Sequence, residues 1–278
     1  MESMREILKK AKKEKYAVAA YNVNNLEWAR FILEASEMNH SPLIMEVSEG
    51  AISYMGGFRL VADLVNDLIN ELKIDIPVAL HLDHGSSVES CKKAIDAGFT
   101  SVMFDGSKLP LEENICLTKE IVKYAEIYGV TVEAELGQVG ENGEKGIYAN
   151  PVECEKLVKE TGVFCLAPAL GSVHGIYKGT PHIDFETTLK ISELTNVPLV
   201  LHGGSGIPDD MLLEGIKSGI CKININTDLQ IVWAKAVREY LKEDAFVYDP
   251  RKIIKAGEEA IKNKISSINK LLGSVNKA

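Results

Sequence analysis

Two histidines and an aspartate stand close together in the stretch HLDHG, residues 81–85, directly after the apolar residues 76–80. Burying three titratable groups within four residues is costly unless they bind an ion or transfer protons. The stretch therefore indicates a site of chemistry at the end of a buried strand, and other reactive side chains must be brought to it by neighbouring elements.

Four of the six histidines follow predicted strand ends: His81, His84, His174 and His202. Neutral imidazoles held by rigid strands form the open tetrahedral site typical of catalytic zinc. We predict that His84, His174 and His202 bind this ion. Asp83 shares a strand face with His81 and should project into the site, where it suits proton transfer. His81 either supports a ligand or fills the core.

Carboxylates follow the next two predicted strands. Asp105 ends one of them in the motif FDGS, and Glu133 and Glu135 lie on the same face of the other in VEAELG. Buried without partners these glutamates would be expensive, so they need a metal, another cation or a hydrogen-bonded network.

Glycine-rich turns supply candidate anion sites. HGGSG starts at His202 and leads into a helix, and GSVHGIYKG contains Lys178; the stretch NINT ends at Thr227. Free backbone amides and a helix N-terminus bind phosphate well. We expect phosphate binding beside the metal.

Eight short β-type runs alternate with helical patterns, with the spacing of strands that are each followed by a helix. They cover residues 17–21, 43–47, 78–82, 101–104, 130–135, 164–167, 199–202 and 221–225. We predict one (β/α)8 TIM barrel domain over residues 1–278, with additional C-terminal helices after Tyr240. A doubly wound open sheet is the main alternative.

The formal net charge of −9 argues against nucleic acid or an anionic membrane as the main partner, although a local pocket can still bind a small anion. Five cysteines without C-x-x-C spacing predict reduced thiols in the cytoplasm. The charged N-terminus predicts no secretory signal, and no stretch has the length and apolarity of a membrane span.

The motifs YNVNNLEW, HLDHGSS, SVMFDGS, VEAELG, APALGSVHGIYKG, LHGGSGIP, KININT and YDPRK occur in this order. Together they resemble the class II, metal-dependent fructose-bisphosphate aldolases from about Tyr16 to the C-terminus. The resemblance implies a (β/α)8 barrel that reversibly cleaves fructose 1,6-bisphosphate to dihydroxyacetone phosphate and glyceraldehyde 3-phosphate, and a homodimer or homotetramer.

The resemblance also implies roles for individual residues. His84, His174 and His202 would hold zinc, Asp83 would exchange the C4-hydroxyl proton, and Glu135 and Asp105 would flank the metal or serve a second divalent position. The dihydroxyacetone phosphate end would be bound, with a monovalent Na⁺ or K⁺, by Gly175, Lys178, Gly203, Ser205, Asn224, Asn226 and Thr227. The far phosphate would contact Asn24, Ser48 and Arg251, the arginine coming from a neighbouring subunit.

An acidic residue on the loop after the fifth strand protonates the enediolate in similar enzymes. Here that loop is short, with Glu141 as the first candidate and Glu144 as the second. The sequence does not separate them.

Four alternatives remain at this point. Tagatose-bisphosphate aldolase cleaves a substrate with the opposite configuration at C4, and Asn226 favours the fructose enzyme. A Schiff-base aldolase needs a lysine at a strand end; we expect Lys222 on the face away from the cavity, and Lys108 and Lys178 in loops. Metal-dependent hydrolysis and a non-enzymatic sugar-phosphate binding protein complete the set.

Overall fold

The computed structural model of the chain describes residues 1–141, 144 and 146–278. Its strands are β1 (Val18–Asn22), β2 (Leu43–Ser48), β3 (Val78–Gly85), β4 (Ser101–Phe104), β5 (Thr131–Leu136), β6 (Gly140–Glu141), β7 (Cys165–Pro168), β8 (Val173–His174), β9 (Leu199–Leu201) and β10 (Ile220–Ile225). Eight of them close into a parallel barrel in the order β1-β10-β9-β7-β5-β4-β3-β2, while β6 pairs only with β8. The predicted barrel is confirmed, and the open sheet is wrong.

Helices surround the barrel and follow its strands. They are α1 (Met4–Glu14), α2 (Leu26–Met38), α3 (Glu49–Met55), α4 (Phe58–Glu71), α5 (Val88–Ala97), α6 (Leu111–Tyr128), α7 (Pro151–Thr161), α8 (Phe185–Thr195), α9 (Asp209–Lys217), α10 (Thr227–Glu243), α11 (Pro250–Lys255) and α12 (Glu258–Leu272). The last two are the predicted additional helices. Within the described ranges, no helix is both long enough and apolar enough to cross a bilayer.

Local sequence signals fix many helix ends. The Ser87 side chain accepts from the Ser90 amide at the start of α5, and Gly98 ends this helix with φ of 106°. Asn150 caps α7 directly before Pro151, whose missing N–H costs nothing at a first helical position. Ser87 and Asn150 thus start their helices, and Gly98 stops α5 before the chain turns toward β4.

The side chains inside the barrel change from apolar to charged along the barrel axis. At the N-terminal end, apolar side chains such as Val18, Ile44 and Val200 pack with α1 residues Met4 and Leu8. The next layer contains the fully buried Glu46, His81, Glu133 and Lys222. Because strand side chains alternate between faces, the residues two positions further along emerge at the C-terminal mouth, where barrel enzymes carry their sites.

Candidate active site

Three histidine rings meet at the C-terminal mouth of the barrel. A nitrogen from each of His84, His174 and His202 lies within 4.8 Å of the other two. The ring centroids of His84 are 4.8 Å from His202 and 5.1 Å from His174. The side chains expected to bind zinc therefore come together from three separate elements.

The backbone at His84 explains how adjacent residues serve one site. Its φ is +50°, a left-handed conformation that is uncommon outside glycine, and the β3–β4 pairing shifts between Leu82 and Gly85. At Gly85 a Cβ would lie 2.5 Å from the Met103 carbonyl oxygen, so only glycine fits. The turn lets both Asp83 and His84 face the mouth, and it extends β3 beyond the predicted end at residue 82.

Carboxylates orient two of the rings. His84 Nδ1 is 2.9 Å from Asp105 Oδ2, and His202 Nε2 is 3.0 Å from Glu133 Oε1. A carboxylate only accepts, so each of these nitrogens carries the proton, and the opposite ring nitrogen faces the cluster. Such carboxylate–histidine pairs are characteristic of metal sites.

The charges around the cluster shift the pKa of each ring. Burial lowers the pKa of His174 to about 4, so this imidazole is neutral. Burial also lowers the pKa of His84, but Asp83 and Asp105 outweigh burial and raise this pKa to about 9. Glu133 and Glu135 likewise overcome burial and raise the pKa of His202 to about 10. A bound cation would displace these protons.

Asp83 is 6% exposed and is held by two amides. Its Oδ2 accepts from Asn22 Nδ2 at 3.0 Å, and its Oδ1 from Asn224 Nδ2 at 3.4 Å. Burial raises its pKa, but His84, His202 and Lys222 dominate and keep the pKa below the usual value. Asp83 is therefore a fixed, ionised base beside the histidines.

Glu135 adds a second possible set of ligands. His84, Asp105 and Glu135 also have ligand atoms within 4.8 Å of one another. Glu135 Oε2 lies 3.1 Å from His202 Nδ1, yet neither buried atom has a hydrogen-bond partner among the described residues. Two orphaned buried atoms facing the cluster fit an ion there.

A cavity of about 620 Å³ opens above the histidines. Of the predicted site residues, its lining includes Asp83, His84, Asp105, Glu135, Glu141, His174, Gly175, Gly203, Ser205, Asn224, Asn226 and Thr227. Glu144 lines it as well. Its size suits a phosphorylated sugar.

The glycine-rich turn after β9 packs closely against β8. Gly203 has φ of +65°, and a Cβ there would lie 2.3 Å from the Val173 carbonyl oxygen. The Tyr177 hydroxyl donates to Gly203 O at 2.9 Å and accepts from the Val173 amide at 3.1 Å. Ser205 Oγ accepts from the Asn226 and Asp228 amides at the start of α10. Ser205 thus bonds to the start of α10, next to the expected cradle.

Five predicted residues are absent from the lining of this cavity. His202 is one of them, because it is buried with only 1% of its surface exposed. The other four lie elsewhere. Asn24 and Ser48 line an adjoining cavity that shares Asn226 with the first. Lys178 is exposed on its loop. Arg251 is 89% exposed and pairs with Asp249 at 2.9 Å. A single chain does not bring these four to the histidines.

The loop after β5 lies beside the cluster. Glu141 is the β6 partner of His174, and the Glu144 amide bonds to the Glu141 carbonyl at 2.9 Å. Both glutamates are exposed. Asn142, Gly143 and Lys145, also in the predicted loop, lie outside the described residues.

The expectation for Lys222 is wrong. It is fully buried inside the barrel, with Nζ 2.9 Å from Glu133 Oε2. Alternation along β10 puts Lys222 on the same face as Asn224, which was expected at the site. Burial lowers the pKa of Lys222, but Glu133 and Glu46 outweigh this and raise the pKa above its usual value, so the amine stays protonated and is no Schiff-base nucleophile.

Among the cavity-lining residues that sequence reasoning missed are two buried polar side chains of the barrel strands, Asn22 and Glu46. Asn22 is the last residue of β1, and its strand-end position was the available signal. Glu46 precedes Ser48 by two on β2, so the same alternation would have found it.

Comparisons with known proteins agree with this architecture. The family model described as "Fructose-bisphosphate aldolase class-II" matches residues 2–277. The chain is 55% identical to a fructose-bisphosphate aldolase of Geobacillus stearothermophilus over 99% of its length and 98% of the relative's. A fructose-bisphosphate aldolase of Staphylococcus aureus is 52% identical over the same shares.

Solved structures give the same result. The YdjI aldolase from Escherichia coli K12 superposes with a TM-score of 0.87 at 34% identity, covering 100% of this chain and 99% of that one. Fructose-bisphosphate aldolase from Campylobacter jejuni has a TM-score of 0.87 at 25% identity, with 99% and 95% covered.

Proposed function

Since this chain belongs to the class II fructose-bisphosphate aldolase family, we propose that the cavity at the barrel mouth performs the reversible cleavage of fructose 1,6-bisphosphate. The products are dihydroxyacetone phosphate and glyceraldehyde 3-phosphate. The observation that carries this proposal is the meeting of three histidine nitrogens within 4.8 Å of one another, beside a cavity that is lined by His84, His174 and Asp83.

The family is metal-dependent, and the histidine cluster fits zinc. Asp105 and Glu133 hold the outer nitrogens of His84 and His202, so His84 Nε2, His202 Nδ1 and a nitrogen of His174 are free to bind the ion. Bound zinc would act as a Lewis acid for the negative charge that develops on the substrate carbonyl oxygen. Asp105 and Glu135 with His84 would offer a second divalent position.

Asp83 is the proposed base for cleavage. Its carboxylate takes the proton of the C4 hydroxyl as the bond between C3 and C4 breaks. Asn22 and Asn224 keep both oxygens in place, which limits the reorganisation that proton transfer would otherwise require.

Glu141 is the proposed acid that protonates the enediolate, with Glu144 in reserve. Both glutamates line the cavity. Glu141 is paired with His174 through the backbone of β6 and β8, and this favours it for the role.

The phosphate of the dihydroxyacetone half would bind at Gly175, Gly203, Ser205, Asn224, Asn226 and Thr227, with Lys178 moving in from its loop. All of these residues except Lys178 line the same cavity, which supports this cradle. A monovalent Na⁺ or K⁺ would offset part of the phosphate charge there.

The far phosphate would contact Asn24 and Ser48 in the adjoining cavity. We propose that Arg251 reaches this phosphate from a neighbouring subunit of a homodimer or homotetramer, in keeping with its exposure in the single chain.

The five free cysteines fit a reducing compartment, and we propose that this compartment is the cytoplasm.

The relatives at 52–55% identity are named for fructose bisphosphate, so the tagatose alternative is not favoured. A coupled assay on fructose and tagatose 1,6-bisphosphates, before and after chelation and zinc addition, tests the function. We expect cleavage of the fructose compound that is lost with the chelator and restored by zinc. Undiminished cleavage in the metal-free protein would contradict the proposal.

A further inference from the structure

A layer of buried charge lies directly beneath the histidines. Glu46, His81, Glu133 and Lys222 are each 0% exposed. Lys222 Nζ lies 2.9 Å from Glu133 Oε2, 3.3 Å from His81 Nε2 and 3.6 Å from Glu46 Oε2. Removing such groups from water costs several kcal/mol for each ion, so this layer requires an explanation.

The direction of every hydrogen bond in the layer can be derived. Lysine only donates, so His81 Nε2 accepts from Lys222, and His81 Nδ1 donates to Ser101 Oγ at 2.8 Å. Burial and Lys222 lower the pKa of His81 to about 3, which agrees with a neutral ring. The Ser101 hydroxyl can then donate to the Thr131 carbonyl.

The same rule applies on the other side of the lysine. Lys222 donates to Glu133 Oε2, and Glu133 Oε1 accepts from His202 Nε2 at 3.0 Å. His202 therefore presents Nδ1 to the cluster. The chain of bonds from Ser101 to His202 is consistent in direction throughout.

The buried lysine lies between two carboxylates of the layer. Burial and the neighbouring Asp83 raise the pKa of Glu46 well above the usual value, which disfavours its charged form. Glu133 is the nearer carboxylate to Lys222, at 2.9 Å against 3.6 Å for Glu46. Without the lysine, Oε2 of Glu133 would lose this donor, and the carboxylate would no longer be held in the position from which Oε1 accepts from His202.

We propose that Lys222 is a positioning residue for the metal site: through Glu133 it holds His202 in the tautomer and orientation that direct Nδ1 to the ion. This inference deepens the proposed function and rests on its metal site. It gives a role to a buried lysine that does not touch substrate.

Replacement of Lys222 by Met tests the proposal with zinc binding as the readout. Competition with a chromophoric chelator gives the Zn²⁺ dissociation constant. This constant should rise about 10- to 100-fold, as it does when other residues that orient a metal ligand are replaced. The visible spectrum of the Co²⁺-loaded variant should shift because the His202 ligand is displaced. An unchanged dissociation constant and Co²⁺ spectrum would overturn the proposal.

Ser101→Ala is the matched control. It disturbs the same layer but leaves the Lys222–Glu133–His202 contacts intact, so its Zn²⁺ affinity should stay close to that of the wild type. A loss of affinity as large as in Lys222→Met would show that packing alone is responsible.

The double variant Lys222→Met/Glu133→Gln covers the case in which the single variant fails to fold. It buries no unpaired charge, and the side-chain carbonyl of the introduced glutamine can still accept from His202. We expect weaker Zn²⁺ binding than in the wild type, because an amide carbonyl is a weaker acceptor than a carboxylate; wild-type affinity in the double variant would contradict the proposal.

His174→Ala separates the two hypotheses. If it leaves Zn²⁺ binding unchanged, the metal site itself is misassigned. If it abolishes binding while Lys222→Met does not weaken it, only the role of Lys222 fails.

Discussion

The histidine corner, formed by His84, His174 and His202 with Asp83, differs from the outer rim, formed by Glu141, Lys178 and Arg251. Corner side chains are largely buried, and Asp83, His84 and His202 are bonded to neighbouring carboxylates or amides. Rim side chains are exposed, and the only side-chain bonds of Arg251 within the described part of the chain are to Asp249 on the same short segment. The corner is thus organised in the absence of substrate, whereas we expect the rim to be ordered by substrate or, in the proposed oligomer, by a second chain.

This contrast predicts different kinds of defect. Variants in the corner should lose chemistry or metal, because strands hold those groups in place regardless of substrate. Variants of Lys178 and Arg251 in the rim should lose substrate affinity first, whereas variants of Glu141, the proposed acid, should lose turnover.

The largest effect is expected for His174→Ala. Two imidazoles hold zinc poorly, so metal content and turnover should fall together, by more than the roughly 10²–10³-fold that loss of one electrostatic donor costs. Metal analysis and a coupled cleavage assay measure both. Full activity with full metal would remove His174 from the corner.

Asp83→Ala should retain zinc but reduce kcat by about 10²–10⁴-fold, because the base for the C4 hydroxyl is lost. Zinc content serves as the internal control. A near-normal kcat would show that another group accepts this proton.

Arg251→Ala should raise the KM for fructose 1,6-bisphosphate by about 10- to 100-fold, the loss expected for one charged hydrogen bond. The KM for dihydroxyacetone phosphate in the condensation direction should change little. Arg238→Ala, on the exposed face of α10, is the control. Equal weakening for both substrates would contradict the far-phosphate role.

The smallest effect is expected for Tyr177→Phe, at the junction of the two regions. Loss of the hydroxyl leaves Gly203 O and the Val173 amide without this partner, and the KM for dihydroxyacetone phosphate should rise about tenfold. Tyr124→Phe, which removes a hydroxyl bonded to Asp96 far from the cavity, is the control. If both variants behave alike, Tyr177 does not organise the cradle.

The corner could be predicted because it depends on strand ends. Apolar runs located the strands, and the parallel barrel brings all their carboxyl ends to one mouth, so His84 and His202 had to approach each other. The left-handed turn at His84 has no comparable signal, and β3 therefore extended to Gly85 beyond the predicted end.

The layer beneath the corner was only partly accessible to prediction. The spacing of Glu133 and Glu135 places both on one face of the strand, which predicted that both need partners. It did not decide between a metal, another cation and a hydrogen-bonded network. Their separation into an ion-paired Glu133 and a ligand-facing Glu135 depends on contacts between distant strands. Spacing along one strand does not contain that information.

The helix α1 has a consequence for the opposite end of the molecule. Met4, Ile7, Leu8 and Ala11 close the barrel floor, and Met4 Sδ lies 3.8 Å from Ser101 Oγ, the first group in the chain of bonds that ends at His202. Truncating these residues would admit water to Lys222 and Glu133 and weaken their attraction through dielectric screening. The amino terminus thereby insulates the catalytic end from which it is most remote.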